Sequence, residues 1–268
     1  MSDFLTKILI STRRDLEERR RTKPLAKIKR VLEEIPAGDD APARRGAGLF
    51  KAAVEAPGIS VIAEVKRASP SKGDIRPGLD VADVVRQYES GGARAISVLT
   101  EEHYFKGSLE DLREARRSTT LPVLRKDFII DPYQVWEAAA AGADACLLIV
   151  AALSPRDLKL LIDEANVAGL DSLVEVHTRG ELETALSAGA PIIGINNRDL
   201  ITFEVNLQAT RDLIKSVPDS VPVVSESGIK NRGDMQMLAA AGVGAALIGE
   251  SLMRSSKPGD RLRDLLVK

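Results

Sequence analysis

The 268-residue chain is expected to fold as an α/β protein, a single (β/α)8 barrel of the TIM type preceded by an N-terminal helical extension. A repeat and its spacing carry that expectation. Four times a helix-like stretch ends in a glycine step that feeds an apolar run: "SGGARAISVLT", "AAGADACLLIV", "SAGAPIIGIN" and "AAGVGAALIG". The matching glycines, Gly92, Gly142, Gly189 and Gly242, recur about every fifty residues, which leaves room for two strand–helix units per interval. Near-continuous apolar strands alternating with helices argue for a parallel sheet buried on both faces. Eight such units in about the 250 residues of a typical closed barrel favour it over an open, doubly wound sheet. No Gly-x-Gly-x-x-Gly turn follows the first strand, which also counts against a dinucleotide fold.

In chain order, residues 1–45 are assigned to the extension and 46–268 to the barrel. "LTKILISTRRDLEERRRTKPLAKIKRVLEEI" has helical spacing with a break near Pro24, and reads as a lid or clasp on the barrel. Arg19, Arg20 and Arg21 could form an anion patch, but the interleaved Asp15, Glu17 and Glu18 favour a solvated helix face. "PAGDDAPARRGAG" reads as a flexible connector. Strands are expected near 60–66, 94–100, 121–126, 144–150, 171–176, 191–196, 221–226 and 244–249. Helical patterns such as "LDVADVVRQYES" and "SPRDLKLLIDEANVAG" separate them, with Ser108, Ser154 and Thr178 as N-caps followed by acids in the first turn.

A net charge of −1 gives no support to a nucleic-acid partner. The one cysteine, Cys146, excludes an intrachain disulfide and suits a reducing compartment. His103 and His177 are the only histidines, so no His/Cys metal cluster is expected. "FLTKILI" is short and interrupted by Lys7, which argues against a secretory leader. The most apolar stretch contains Gly142 and Asp144 and reads as a helix end feeding a strand, not as a membrane span. A cytoplasmic monomer without nucleic-acid or membrane partners is expected.

Residues two apart in a strand share a face, so Ile62, Glu64 and Lys66 point one way while Val61, Ala63 and Val65 point the other. Strand three ends in Lys126, strand five carries Glu175, and strand seven ends in Glu226. Burying such charges costs several kcal/mol each, and apolar replacements are often as stable. A purely structural barrel has no need of five at one rim, so they are assigned to chemistry. Strands four and eight offer Leu147 and Leu247 at the same level. After strands seven and eight, Ser227-Gly228 and Gly249-Glu250 stand where barrels cradle phosphate with backbone N–H groups.

These residues lie in "VIAEVKRASPSKG", "ISVLTEEHYFKGSLEDL", "PVLRKDFIIDPYQV", "ADACLLIVAAL", "LVEVHTRGELETA", "IIGINNRDLITFEV", "VSESGI" and "ALIGESLM". In that order the sequence resembles the indole-3-glycerol-phosphate synthases. The resemblance implies cofactor-free ring closure, decarboxylation and dehydration of a small phosphorylated substrate, 1-(2-carboxyphenylamino)-1-deoxyribulose 5-phosphate. It implies Lys126 as the general acid and Glu175 as the general base, with Lys66 on the anionic groups. How the acid role in dehydration divides between Lys66 and Lys126 stays open. Glu64 and Glu226 would hold the lysines protonated and contact sugar hydroxyls. Ser69, Asn196 and Arg198 would bind near the leaving carboxylate, and Phe105, Phe128, Leu147, Leu200 and Leu247 would wall the ring. Ser227, Gly228, Gly249 and Glu250 would bind the phosphate through N–H groups. The nearest alternative, a phosphoribosylanthranilate isomerase, would want a reactive cysteine where this chain has Lys66. Cys146, in mid-strand, reads as core filler.

Overall fold

The computed structural model describes residues 3–34 and 46–266, so most of the expected connector lies outside the described residues. Three helices precede the sheet: α1 (Asp3–Thr22), α2 (Leu25–Glu34) and α3 (Leu49–Glu55). Eight strands follow: β1 (Ser60–Val65), β2 (Ala95–Leu99), β3 (Val123–Lys126), β4 (Ala145–Ile149), β5 (Asp171–Val176), β6 (Ile192–Asn196), β7 (Val223–Glu226) and β8 (Ala245–Ile248). Each pairs in parallel with its sequence neighbours, and β1 closes on β8, so the sheet is a closed (β/α)8 barrel. β5 has its full expected span, and the other seven strands are shorter than expected by a residue or two; β1 stops at Val65, so Lys66 stands just beyond it.

The alternation read from the first strand holds. Val61, Ala63 and Val65 join the outer core between sheet and helices, whereas Ile62 packs inside with Leu124, Leu147, Leu173 and Val224. The floor of the barrel is filled by α3, for which the sequence reading placed no helix. Phe50 and Val54 are fully buried in the inner cluster, and the N–H groups of Gly48 and Lys51 donate to Asp171 at the start of β5.

The surrounding helices are α4 (Val81–Gly91), α5 (Leu109–Ser118), α6 (Pro132–Ala140), α7 (Pro155–Ala168), α8 (Arg179–Ser187), α9 (Gln208–Leu213), α10 (Arg232–Ala240), α11 (Glu250–Met253) and α12 (Pro258–Leu265). Ser108, Ser154 and Thr178 each accept the N3 backbone N–H and so cap α5, α7 and α8, as their positions suggested. Asp80 and Asn231 do the same for α4 and α10, and Asp131 caps α6 by accepting the N2 N–H of Tyr133. No helix among the described residues is long and apolar enough to cross a membrane.

Helix α1 buries Leu5, Ile8, Leu9 and Leu16. It is docked on α6: the Tyr133 hydroxyl donates to the Arg19 and Lys23 carbonyls, and Arg19 and Arg20 pair with Glu137 and Asp131. Arg20 and Arg21 keep the exposure expected of the arginine run and Arg19 is half-buried, while Arg19 and Arg20 also take acidic partners on α6. The acids that bind them lie more than a hundred residues away in the chain, beyond the reach of a local charge count.

Candidate active site

A cavity of about 470 Å³ opens at the carboxyl ends of the strands, a size suited to a small-molecule ligand. At its base the Lys126 ammonium lies 3.4 Å from Glu175 Oε2 and 3.3 Å from Glu226 Oε2. Beside it Lys66 bonds the Glu64 carboxylate. The three carboxylates are buried. They converge because β1, β3, β5 and β7 each turn the same register layer inward, and the intervening strands leave room. Gly194, opposite Glu175 in the β5–β6 ladder, has no side chain where a Cβ would sit 2.3 Å from Glu226 Oε1. Gly249 likewise clears Glu64, whose Oε1 would lie 2.2 Å from an added Cβ.

Two carboxylates thus face one ammonium, and their environments drive them apart. Burial opposes the charge on Lys126, but Glu226, Glu175 and Glu64 outweigh it and hold the amine well above the usual lysine range. Burial also penalises both acids. For Glu175 the penalty is overcome by Lys126, by His177 and by a 3.1 Å hydrogen bond from Asn196 Nδ2, so it stays below the usual carboxylate range. Glu226 lacks the Asn196 hydrogen bond and the close His177 contact and sits beside Glu175; burial pushes it up to about 7. Glu226 Oε2 is engaged by the Lys126 ammonium, whereas no hydrogen bond or ion pair satisfies Oε1, which leaves that oxygen for a ligand.

The walls are apolar. Leu147 and Leu247 line the inner face, and the Phe105 and Phe128 rings lie 6.3 Å apart, with Leu200 beyond β6. Glu101 holds the loop that carries Phe105, accepting the N–H groups of His103, Tyr104 and Phe105. Asn196 Oδ1 accepts the Arg198 N–H, and Arg198 Nη1 donates to the Phe203 carbonyl. After β1 the chain forms a small hairpin, Ala68–Ser69 with Gly73–Asp74, that brings Ser69 to the cavity edge. Ser227 and Gly228 both take positive φ (65° and 89°), which turns successive N–H groups to one side, and α11 begins directly after Gly249. The Glu250 carboxylate is drawn to Arg254. Every site residue expected from the sequence therefore lines this one cavity.

A profile of the indole-3-glycerol phosphate synthase family matches residues 5–265. The chain belongs to that family. An indole-3-glycerol phosphate synthase from Dehalococcoides mccartyi is 47% identical over 266 residues, 98% of this chain and all of that protein. One from Acidithiobacillus ferrooxidans is 46% identical, and 99% of each chain is covered. Among solved structures, a thiamine phosphate pyrophosphorylase from Pyrococcus furiosus superposes with a TM-score of 0.60 at 21% identity, over 79% of this chain and 95% of that one. An N-acetylmannosamine-6-phosphate 2-epimerase from Clostridium perfringens does so at 0.60 and 16%, over 80% and 95%. These two show the barrel alone. Family membership makes the chain a decarboxylating lyase of tryptophan biosynthesis. The isomerase alternative is not favoured. Cys146 is fully buried in the outer core, and burial pushes its thiol up to about 12.

Several residues that line or support this synthase-family site went unread in the sequence. Lys72, Lys230 and Arg254 add positive charge to the cavity, and Phe4, Leu5 and Phe203 add apolar wall. Behind Lys126, the fully buried Arg125 donates to Thr100, Asp127, Glu137 and the Gln134 carbonyl, and Asp127 accepts the Phe128 N–H. "LRKDF" held the signal: an arginine and an aspartate on the outward face of a strand that should be apolar there.

Proposed function

We propose that Lys126 and Glu175 are the acid–base pair of the ring-closing synthase reaction, with Lys66 as the second cation. The substrate's ring carbon attacks the ketone while the Lys126 ammonium passes a proton to the ketone oxygen. The carbon–carboxylate bond then breaks, its electron pair returns to the ring, and CO₂ leaves. In dehydration the new hydroxyl departs as water with a proton from Lys66, and Glu175 collects the proton lost from carbon. An ammonium held above the ordinary lysine range stays loaded at neutral pH, and a carboxylate held below its range stays ready to accept. Glu226, pushed up to about 7 by burial, can donate to a sugar hydroxyl when protonated and accept from one when ionised. No cofactor is needed in this scheme.

Lys66, paired with Glu64, clamps the substrate carboxylate with Ser69, Asn196 and Arg198. The aromatic ring lies among Phe105, Phe128, Leu147, Leu200 and Leu247. The phosphate lies against the N–H groups of Ser227, Gly228, Gly249 and Glu250. Helices α1 and α2 serve the barrel as a lid, and the enzyme is proposed to work as a monomer in the cytoplasm.

The single observation that carries the scheme is the Lys126 ammonium set between Glu175 and Glu226 inside one cavity. Lys126→Met is expected to lose roughly 10²–10⁴-fold in kcat, the usual contribution of a positioned general acid, with the fold retained. Indole fluorescence from purified protein mixed with the carboxyphenylamino sugar phosphate measures it. A Lys126→Met enzyme with unreduced kcat would remove the lysine from the mechanism.

A further inference from the structure

We infer that His177 is a positioning residue that holds Glu175 ionised and pinned from outside the cavity; this rests on Glu175 being the base. His177 follows β5 directly and is not among the residues that line the cavity, so it acts through its neighbours. Its ring stands between two carboxylates. Nδ1 lies 3.2 Å from Glu181 Oε2, in the first turn of α8, and Nε2 lies 3.4 Å from Glu175 Oε1. Glu181 Oε2 also accepts the His177 backbone N–H at 2.7 Å, which fixes the segment.

The protonation state follows from this geometry. A neutral imidazole carries one N–H, so whichever nitrogen holds it, the other aims a lone pair at a carboxylate. Only the imidazolium offers a proton to both. Nε2 is buried and no hydrogen bond satisfies it, which leaves the Glu175 carboxylate as the charge it answers. The charged groups that act on the ring are acidic: Glu181 on α8, Glu175 on β5, Glu226 on β7 and Asp199 in the loop after β6. Lys126, from β3, approaches the other oxygen of Glu175. Burial opposes charging of His177, but these acids outweigh it and hold the ring above the usual imidazole range. Asn196 and His177 therefore pin Oε1, and Oε2 is left to Lys126 and substrate. The sequence carries the arrangement as "EVHTRGE", with glutamates two residues before and four after the histidine.

The test compares pH profiles of kcat/KM for the wild type, His177→Gln and Glu181→Gln. His177→Gln keeps a donor but loses the charge. Its acid limb is expected to move upward by about one pH unit, as for a carboxylate that loses a neighbouring cation, with KM nearly unchanged. Glu181→Gln, away from the cavity, is expected to move the limb the same way by less. With only two histidines in the chain, nitrogen NMR of the ring at pH 7 reads the protonation state directly. A neutral His177 at that pH, or variants whose profiles superpose on the wild type, would overturn the inference. Glu175→Gln separates the two claims: if it retains turnover, the base assignment itself fails. If it is inactive while His177→Gln is unshifted, only the positioning role fails.

Discussion

At the scale of single residues, the site depends as much on absent side chains as on charged ones. Gly249 has φ −120°, which any residue can adopt, so backbone strain does not require glycine there. What requires it is Glu64, whose Oε1 would meet an added Cβ at 2.2 Å. Gly249→Ala must push the carboxylate away from Lys66. Overpacking of this kind costs roughly 1–3 kcal/mol, and urea denaturation should find that loss together with a fall in kcat/KM. A variant with wild-type stability and kinetics would mean that Glu64 has room to spare. The inward period of two made Glu64, Lys126, Glu175 and Glu226 legible in the sequence. The reason for Gly249 was only half legible, since its place after strand eight suggested phosphate and its clearance of Glu64 appears only in three dimensions. Gly194 was open to reading, because a glycine inside "IIGIN" signals a close approach.

At the scale of elements, the strands and the capped helices were legible because each rests on local signals: an apolar run, a cap residue, a glycine step. Helix α3 was not, because seven residues are too few to show a helical period. The part that α1 plays in the cavity was not legible either, since it is written in contacts between distant segments. The Phe4 ring meets Tyr104 and Phe203 edge-on, each at 5.5 Å, which joins the helix to the loops after β2 and β6. Phe4→Ala should remove that wall while Leu5, Ile8, Leu9 and Leu16 keep the helix docked. A wall that touches substrate and transition state alike contributes uniform binding. KM is therefore expected to rise several-fold with kcat nearly kept, as steady-state kinetics would show. A fall in kcat with unchanged KM would instead place α1 in the chemical steps.

At the scale of the whole molecule, the charges that make the site also give the fold a pH dependence of its own. Folded Glu226 keeps its proton up to about 7, whereas in an unfolded chain a glutamate releases it near 4.5. Between those values the folded state binds the extra proton. The stability owed to this group is thus fully present below the lower value and lost as pH rises through the upper one. Glu175 is shifted the other way, so its own loss falls at acid pH, below the ordinary glutamate value and outside this window. Gln at 226 cannot titrate. The Tm of Glu226→Gln, measured relative to wild type, should therefore rise from pH 5 to about pH 7 and level off toward pH 8. The sign of the offset at pH 5 depends on how well Lys126 fares with Glu175 alone, but the slope does not. A difference in Tm that stays flat across this range would mean that Glu226 is already ionised at pH 5. Lys126 would then lie between two permanent carboxylates, and Glu226 could not act as a proton donor to the sugar.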